Sequence, residues 1–323
     1  MDNNTHERRY GGRVPLVDEW QLLADGQDNV VCRAQLLAAG LSAGQIDAHC
    51  DARRWRKLTE DVLVLHNGPL TEAQQWWAAT LAVGPLAGRT ALQVHGLKGW
   101  AAKQVEVVVM RGERPSLPKG VRVKVHETRR PFHLDTHPIT SPPCLRVERA
   151  AVDAAAWTTS PRAACGLLVA VVQQRLSVPD KLRVALTRAG RVRHTRLLRA
   201  VLNDIEGGAQ AMTEVDLAGV CRRYGLLPPE RQVVRVDSRG KRRYVDARVS
   251  APNGRSVLVE IDGALHLLVR TYWDDMARGN ELVISGERVL RFPSIALLLD
   301  ERAVGNQLRR ACGLPELNLS QAA

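Results

Sequence analysis

The 323-residue chain is long enough for two domains, each with its own core. Its 45% hydrophobic and 25% charged content is ordinary for a soluble globular protein. No apolar run approaches the roughly 20 residues that span a bilayer. The polar start, Met1-Asp-Asn-Asn-Thr-His-Glu-Arg-Arg9, lacks the apolar segment of a signal peptide. A cytoplasmic protein without membrane contact is therefore expected. The net charge of +12 is out of the ordinary, and it is uneven. Residues 205–323 hold 17 basic and 15 acidic side chains, which leaves 29 and 19 in residues 1–204. A basic excess of that kind fits a polyanionic partner such as DNA, and it fits a solvated surface too. The six cysteines (Cys32, Cys50, Cys144, Cys165, Cys221, Cys312) show no close metal-type or redox-type pair. They read as small core residues, which argues against zinc.

In chain order, residues 1–14 are a polar tail. Val17 to Ala24 can form a short helix. Leu36, Leu37 and Ala39-Gly40 give a helix with its glycine stop. Ser42 is a good N-cap for a second helix carrying Ile46 and Cys50 on one side. Two β-like runs, Trp55 to Leu58 and Val62 to Leu65, follow as a hairpin. Helix, turn, helix and hairpin over residues 15–70 is the organisation of a winged helix-turn-helix. On that reading Gln45, His49, Arg53, Arg54 and Lys57 meet DNA; the alternative is a module that contacts only protein.

A linking region, 71–204, comes next. Thr71 to Val83 is amphipathic, with Trp76 and Trp77 read as core. Thr90 to Leu97 and Leu145 to Ala156 read as helices, and Val105 to Val109 and Val121 to His126 as strands around the turn-rich 111–120. Arg162 to Leu202 is helical in pattern. It carries Arg183, Arg188, Arg191, Arg193, Arg196 and Arg199, a run that suits phosphates or water equally. Gly207-Gly208, within Asn203 to Met212, marks the boundary to a domain spanning 205–323. Thr213 caps a helix with Leu217, Val220, Cys221 and Tyr224 on its buried side.

The densest chemistry lies between Arg243 and Phe292. Tyr244 to Val249 and Val257 to Ile261 are β-branched runs, the second alternating with period two. Pro252 and Asn253 suit a type I turn, and Gly254 suits the left-handed position that closes a three-residue hairpin loop. If Ala251 and Arg255 close that loop, Asp246 lies opposite Glu260, and Asp262 follows about 7 Å further along the strand. Neither strand carries a lysine to offset these carboxylates. Like charges facing one another destabilise a ladder, so a cation is expected among them, and oxygen-only ligands favour Mg²⁺ or Mn²⁺. His266 lies close beyond the strand, and an imidazole there suits proton transfer to a leaving oxygen. Arg278 suits a phosphate clamp, while Asp274 and Asp275 suit a helix start. Arg288 to Phe292 reads as a later strand, and Leu297 to Arg310 as a terminal helix.

Two resemblances attach to these residues. Asp246, Glu260-Ile-Asp262-Gly263, His266, Trp273-Asp-Asp-Met-Ala-Arg278 and Arg288-Val-Leu-Arg-Phe292 together resemble the very-short-patch-repair-like branch of the restriction-endonuclease-like superfamily, over about Met212 to Gly313. That resemblance implies a mixed sheet flanked by helices and metal-dependent hydrolysis of DNA phosphodiesters. It also implies a site completed by an acid at the head of the preceding helix, which Glu214 matches. Val245 stands where many members carry proline, and Asp262 where many carry a catalytic lysine, so a lysine-assisted mechanism is not implied here. Arg33-Ala-Gln-Leu36, Ala39-Gly-Leu-Ser42, Trp55-Arg-Lys-Leu58 and Gly68-Pro69 resemble the winged-helix N-terminus of abortive-infection-type antitoxins.

The fold expected is α/β, or α+β overall. The function expected is a DNA endonuclease holding Mg²⁺ or Mn²⁺ on Asp246, Glu260 and Asp262, with His266 and Glu214 assisting. A DNA-binding regulator or antitoxin-like protein with an inactive nuclease fold is the alternative. A third is a module for a toxin or defence-system partner. Paired cuts would favour a homodimer.

Overall fold

A computed structural model describes residues 18–205, 217–236, 240–262, 286, 288–294 and 296–318. Helices and several separate sheets make it a mixed α and β protein. Among the described residues no helix is long and apolar enough to cross a membrane. The chain divides into two compact units, residues 1–86 with 102–144 and residues 87–101 with 145–323.

The first unit opens with α1 (Glu19–Asp25), β1 (Val30–Cys32), α2 (Arg33–Ala38), α3 (Ala43–Asp51), β2 (Arg56–Lys57) and β3 (Val62–Val64). Strand β3 lies between β1 and β2, antiparallel to both. Its alternation sorts two cores. Val31 and Leu63 face Leu36, Ile46 and Trp55 of the helical layer. Val30, Val62 and Val64 face Trp77 and Ala78 of α4 (Glu72–Ala82) on the other side. Trp77 is thus core, as its place in the amphipathic pattern predicts. Ser42 caps α3 by accepting from the Gln45 N–H at 3.3 Å, and Thr71 caps α4 from Gln74 at 3.2 Å. The unit continues with β4 (Val105–Met110) and β5 (Val123–Thr128), which pair in parallel. The segment 111–122 is therefore a crossover rather than a hairpin turn.

The second unit has a helical part and a sheet. The helices are α5 (Gly88–Val94), α6 (Val147–Trp157), α7 (Pro161–Gln173), α8 (Pro179–Ala189) and α9 (Thr195–Asn203). The long helical stretch expected from Arg162 to Leu202 is thus three helices. Proline at the first turn starts α7 and α8, where its missing N–H costs nothing. Gly190, at φ +70°, ends α8. Inside α6, Arg149 and Asp153 form a buried ion pair at 2.6 Å.

The sheet follows α10 (residues 217–223). It comprises β6 (Glu230–Val236), β7 (Arg242–Ser250), β8 (Ser256–Asp262) and β9 (Val289–Pro293), in that order across the sheet. The first three are antiparallel, and β9 runs parallel to β8. Two helices close the unit, α11 (Ala296–Leu299) and α12 (Glu301–Ala311). Val220, Tyr224, Val249, Val257, Val259, Phe292 and Leu308 form its main core. Strand β8 is buried on both faces from Val257 to Glu260, as its apolar composition predicts for an interior position. None of the six cysteines forms a disulfide. Burial pushes the Cys165 thiol up to about 11 and that of Cys221 up to about 12, so both pack as neutral core groups.

Candidate functional site

The β7–β8 hairpin closes as Pro252-Asn253-Gly254 dictates. The Ala251 N–H donates to the Arg255 carbonyl at 2.9 Å, and Gly254 takes φ +79°. Pairing then runs Ser250 to Ser256, Val249 to Val257, Arg248 to Leu258 and Ala247 to Val259. One step further in that register puts Asp246 across from Glu260. There the ladder gives way to a side chain: Asp246 Oδ2 accepts from the Ile261 N–H at 2.7 Å. The carboxylate of β7 is thereby fixed against the residue that separates Glu260 from Asp262. Asp246 is exposed, and its second oxygen has no partner among the described residues.

Glu260 lies differently. It is only 7% exposed, and β9 sets Arg291 directly beside it in the parallel register. Arg291 Nε donates to Glu260 Oε2 at 2.5 Å, and Nη2 reaches the same oxygen. The two β7–β8 strands lack a lysine, as their sequence says, but the next strand supplies an arginine. Leu258 packs with Val245 and Val289, while Val259 and Phe292 belong to the main core. Arg291 thus occupies the polar position between Leu290 and Phe292 that a period-two strand requires. That alternation was the available signal for its partnership with Glu260.

Asp262 is the last residue of β8, across from Pro293; its side chain lies outside the described residues. Glu214, His266 and Arg278 also lie outside them. Of the five candidate catalytic residues, Asp246 and Glu260 are therefore the two whose side chains can be compared. They supply carboxylate oxygens from adjacent strands, the donor chemistry that a hard divalent cation takes. The described residues contain no group of three or more potential ligands.

The second candidate surface is α3 and the start of β2. Gln45 Oε1 accepts from the Ser42 N–H at 2.8 Å, which ties that side chain to the helix start. His49 stacks on Trp55, ring centres 4.0 Å apart at 10°, and its Nδ1 accepts from Arg54 Nε at 3.2 Å. Burial, followed by the Arg54 charge, lowers the His49 pKa, so the ring is neutral at pH 7. Arg53 (φ +53°) and Lys57 are exposed. Arg53, Trp55, Arg56 and Lys57 line a groove of about 330 Å³ with Asp51 and Asn67. Asp47 went unremarked in the sequence but organises this surface. It takes Arg33 in a two-pronged pair at 2.8 and 2.9 Å, and Lys57 at 3.5 Å. The Arg33 guanidinium holds the Asp47 carboxyl down to about 2.

No protein-family model matches the chain, and no curated protein matches it.

Proposed function

We propose that the protein is a metal-dependent DNA endonuclease whose site is built on the β7–β8 hairpin. The observation that carries this reading is the hydrogen bond from the Ile261 N–H to Asp246 Oδ2 at 2.7 Å. It brings the exposed carboxylate of one strand to the segment Glu260-Ile261-Asp262 of the next. Three acids then share one end of a hairpin that the interior of a sheet holds in place. Mg²⁺ or Mn²⁺ bound there would supply Lewis-acid charge at a scissile phosphate and acidify an attacking water. Asp246, Glu260 and Asp262 would hold the ion. Arg291 would restrain Glu260 and balance its charge in the ion's absence. His266 would carry a proton to the leaving oxygen, Glu214 would polarise the site and Arg278 would clamp phosphate.

The N-terminal unit would grip duplex DNA as a winged helix. Its order of one helix, one strand, two helices and two strands, in a sheet with β3 central, supports that assignment. Arg53, Arg54 and Lys57 would contact phosphates. Gln45 and His49, already held by Ser42 and Trp55, would lie at the DNA as a fixed neutral surface.

A second reading has an observation of its own. The Arg291–Glu260 pair already gives the buried carboxylate a positive partner, so Glu260 needs no metal to be stable. A DNA-binding regulator or antitoxin-like protein with an inactive nuclease fold follows from that. Calorimetric titration with Mn²⁺ separates the two readings. The endonuclease predicts saturable binding that Asp246→Asn weakens at least about tenfold, the loss of about 1.4 kcal/mol expected from one charged ligand. Equal weak binding by both proteins would favour the regulator.

A further inference from the structure

The largest concentration of charge in the sequence belongs to neither surface above. Between Lys181 and Arg199 the sequence holds seven Lys or Arg and no Asp or Glu, against a net charge of +12 for the whole chain. These residues occupy α8, the loop after it and α9. Solvated helical faces usually intersperse the two signs. Seven like charges within a few Debye lengths of roughly 8–10 Å repel one another unless a polyanion offsets them.

The fold gathers part of this run around a cleft of about 450 Å³, lined by Arg191, His194, Arg196 and Arg199 with Val192 and Leu197. Arg191, Arg196 and Arg199 are exposed. None of the three has an acidic partner among the described residues, and the nearby Asp180 is taken by Arg183 at 2.7 Å. Arg196 and Arg199 are one turn apart on α9, about 5–6 Å between their Cβ atoms. The loop presenting Arg191 is held in shape. Thr195 Oγ1 accepts from the Val192 N–H at 3.0 Å and donates to its carbonyl at 2.6 Å. The His194 ring meets the Thr158 carbonyl at 3.0 Å. A preformed cleft of this volume is in the range of ligand sites and larger than one phosphate requires. Val192 and Leu197 add an apolar wall.

From these features we infer that the α8–α9 cleft is a second nucleic-acid contact, in which Arg191, Arg196 and Arg199 hold successive phosphates of a strand. Guanidinium forks match phosphate oxygens two at a time, and sugar or base edges would lie against Val192 and Leu197. The inference takes the identity of the polyanion from the DNA-binding reading above. It is independent of whether the carboxylate hairpin cuts.

The test is fluorescence anisotropy of a labelled DNA duplex and of its single strand, in EDTA, over a salt series. It compares the full chain, an Arg191→Gln/Arg196→Gln/Arg199→Gln variant and an Arg53→Gln/Lys57→Gln variant. Removing three phosphate contacts lowers the slope of log affinity against log salt by about 2.7. The wild-type advantage should accordingly shrink about 40-fold between about 50 and about 200 mM salt. In the unsubstituted chain, hydrogen exchange of residues 191–199 should slow when the duplex is added, a readout that needs no variant. An unchanged slope in the triple variant, with loss only in the Arg53/Lys57 variant, overturns the inference and leaves DNA binding standing. Failure of the full chain to bind either DNA form overturns both. Binding to phosphatidylserine vesicles that the triple variant loses, with DNA binding unchanged, would reassign the cleft to a membrane surface.

Discussion

Glu260 carries the opposing demands of this sheet, because a nearly buried carboxylate must be charged to hold a cation and neutralised to be stable. Arg291 meets the second demand from the adjacent strand. Replacing Arg291 by Leu removes the guanidinium bonded to this acid and should cost about 3 kcal/mol in urea unfolding. Replacing both residues by Leu should recover most of that loss, since a buried pair is worth little more than apolar residues of similar volume. An Arg291→Leu variant as stable as wild type would show that the pair is incidental. At the other surface, Asp47 is held near 2 by Arg33, below its ordinary 3.8. A carboxylate with a depressed folded pKa stabilises the fold above its unfolded value, and the contribution is lost as pH falls through the folded one. Asp47→Asn should therefore lower the melting temperature at pH 7. The difference from wild type should narrow between about pH 4 and pH 2; a difference independent of pH would contradict the ion-pair account.

Among the elements, α12 packs Gly305 against the ring of Tyr224, the residue that follows α10. A Cβ on residue 305 would lie 2.5 Å from ring carbons, and Tyr224 is 2% exposed. Alanine would gain about 1 kcal/mol in helix propensity, but overpacking costs about 1–3 kcal/mol or more. Gly305→Ala should thus lower stability by about 1 kcal/mol, read as a shifted urea midpoint; a stabilised variant would mean that the Tyr224 ring gives way easily. Local chemistry made some elements legible in the sequence. Pro252-Asn253-Gly254 dictates its own turn, Ser42 its cap, and the apolar faces of β8 its interior place. Other features depend on partners far along the chain. Strand β1 is three residues leading straight into α2, too short for a period-two pattern of its own. The parallel pairing of β4 with β5 leaves no mark in either strand. The breaks at Pro179 and Gly190 were visible as residues, but a continuous helical pattern hid them. Glu260 meets Arg291 only through the register of β8 on β9, although Arg291 stood within the Val-Leu-Arg-Phe motif.

Along the chain, the chemistry and the charge are kept in different segments. The carboxylate hairpin belongs to a segment of nearly balanced charge, while the basic excess lies in residues 1–204. Seven of its basic side chains lie between Lys181 and Arg199, in and around the α8–α9 cleft. That separation suits a protein that holds a polyanion by one set of residues and acts on it with another. The most direct test of that account is incubation of supercoiled plasmid with the full chain in Mg²⁺ or Mn²⁺, beside EDTA and a Glu260→Gln/Asp262→Asn variant checked for folding. The account predicts relaxed or linear product with either metal, none in EDTA, and at least about a hundredfold slower conversion by the variant, as expected when groups that stabilise the transition state electrostatically are removed. A folded wild-type protein that binds the plasmid and leaves it supercoiled in both metals would contradict it.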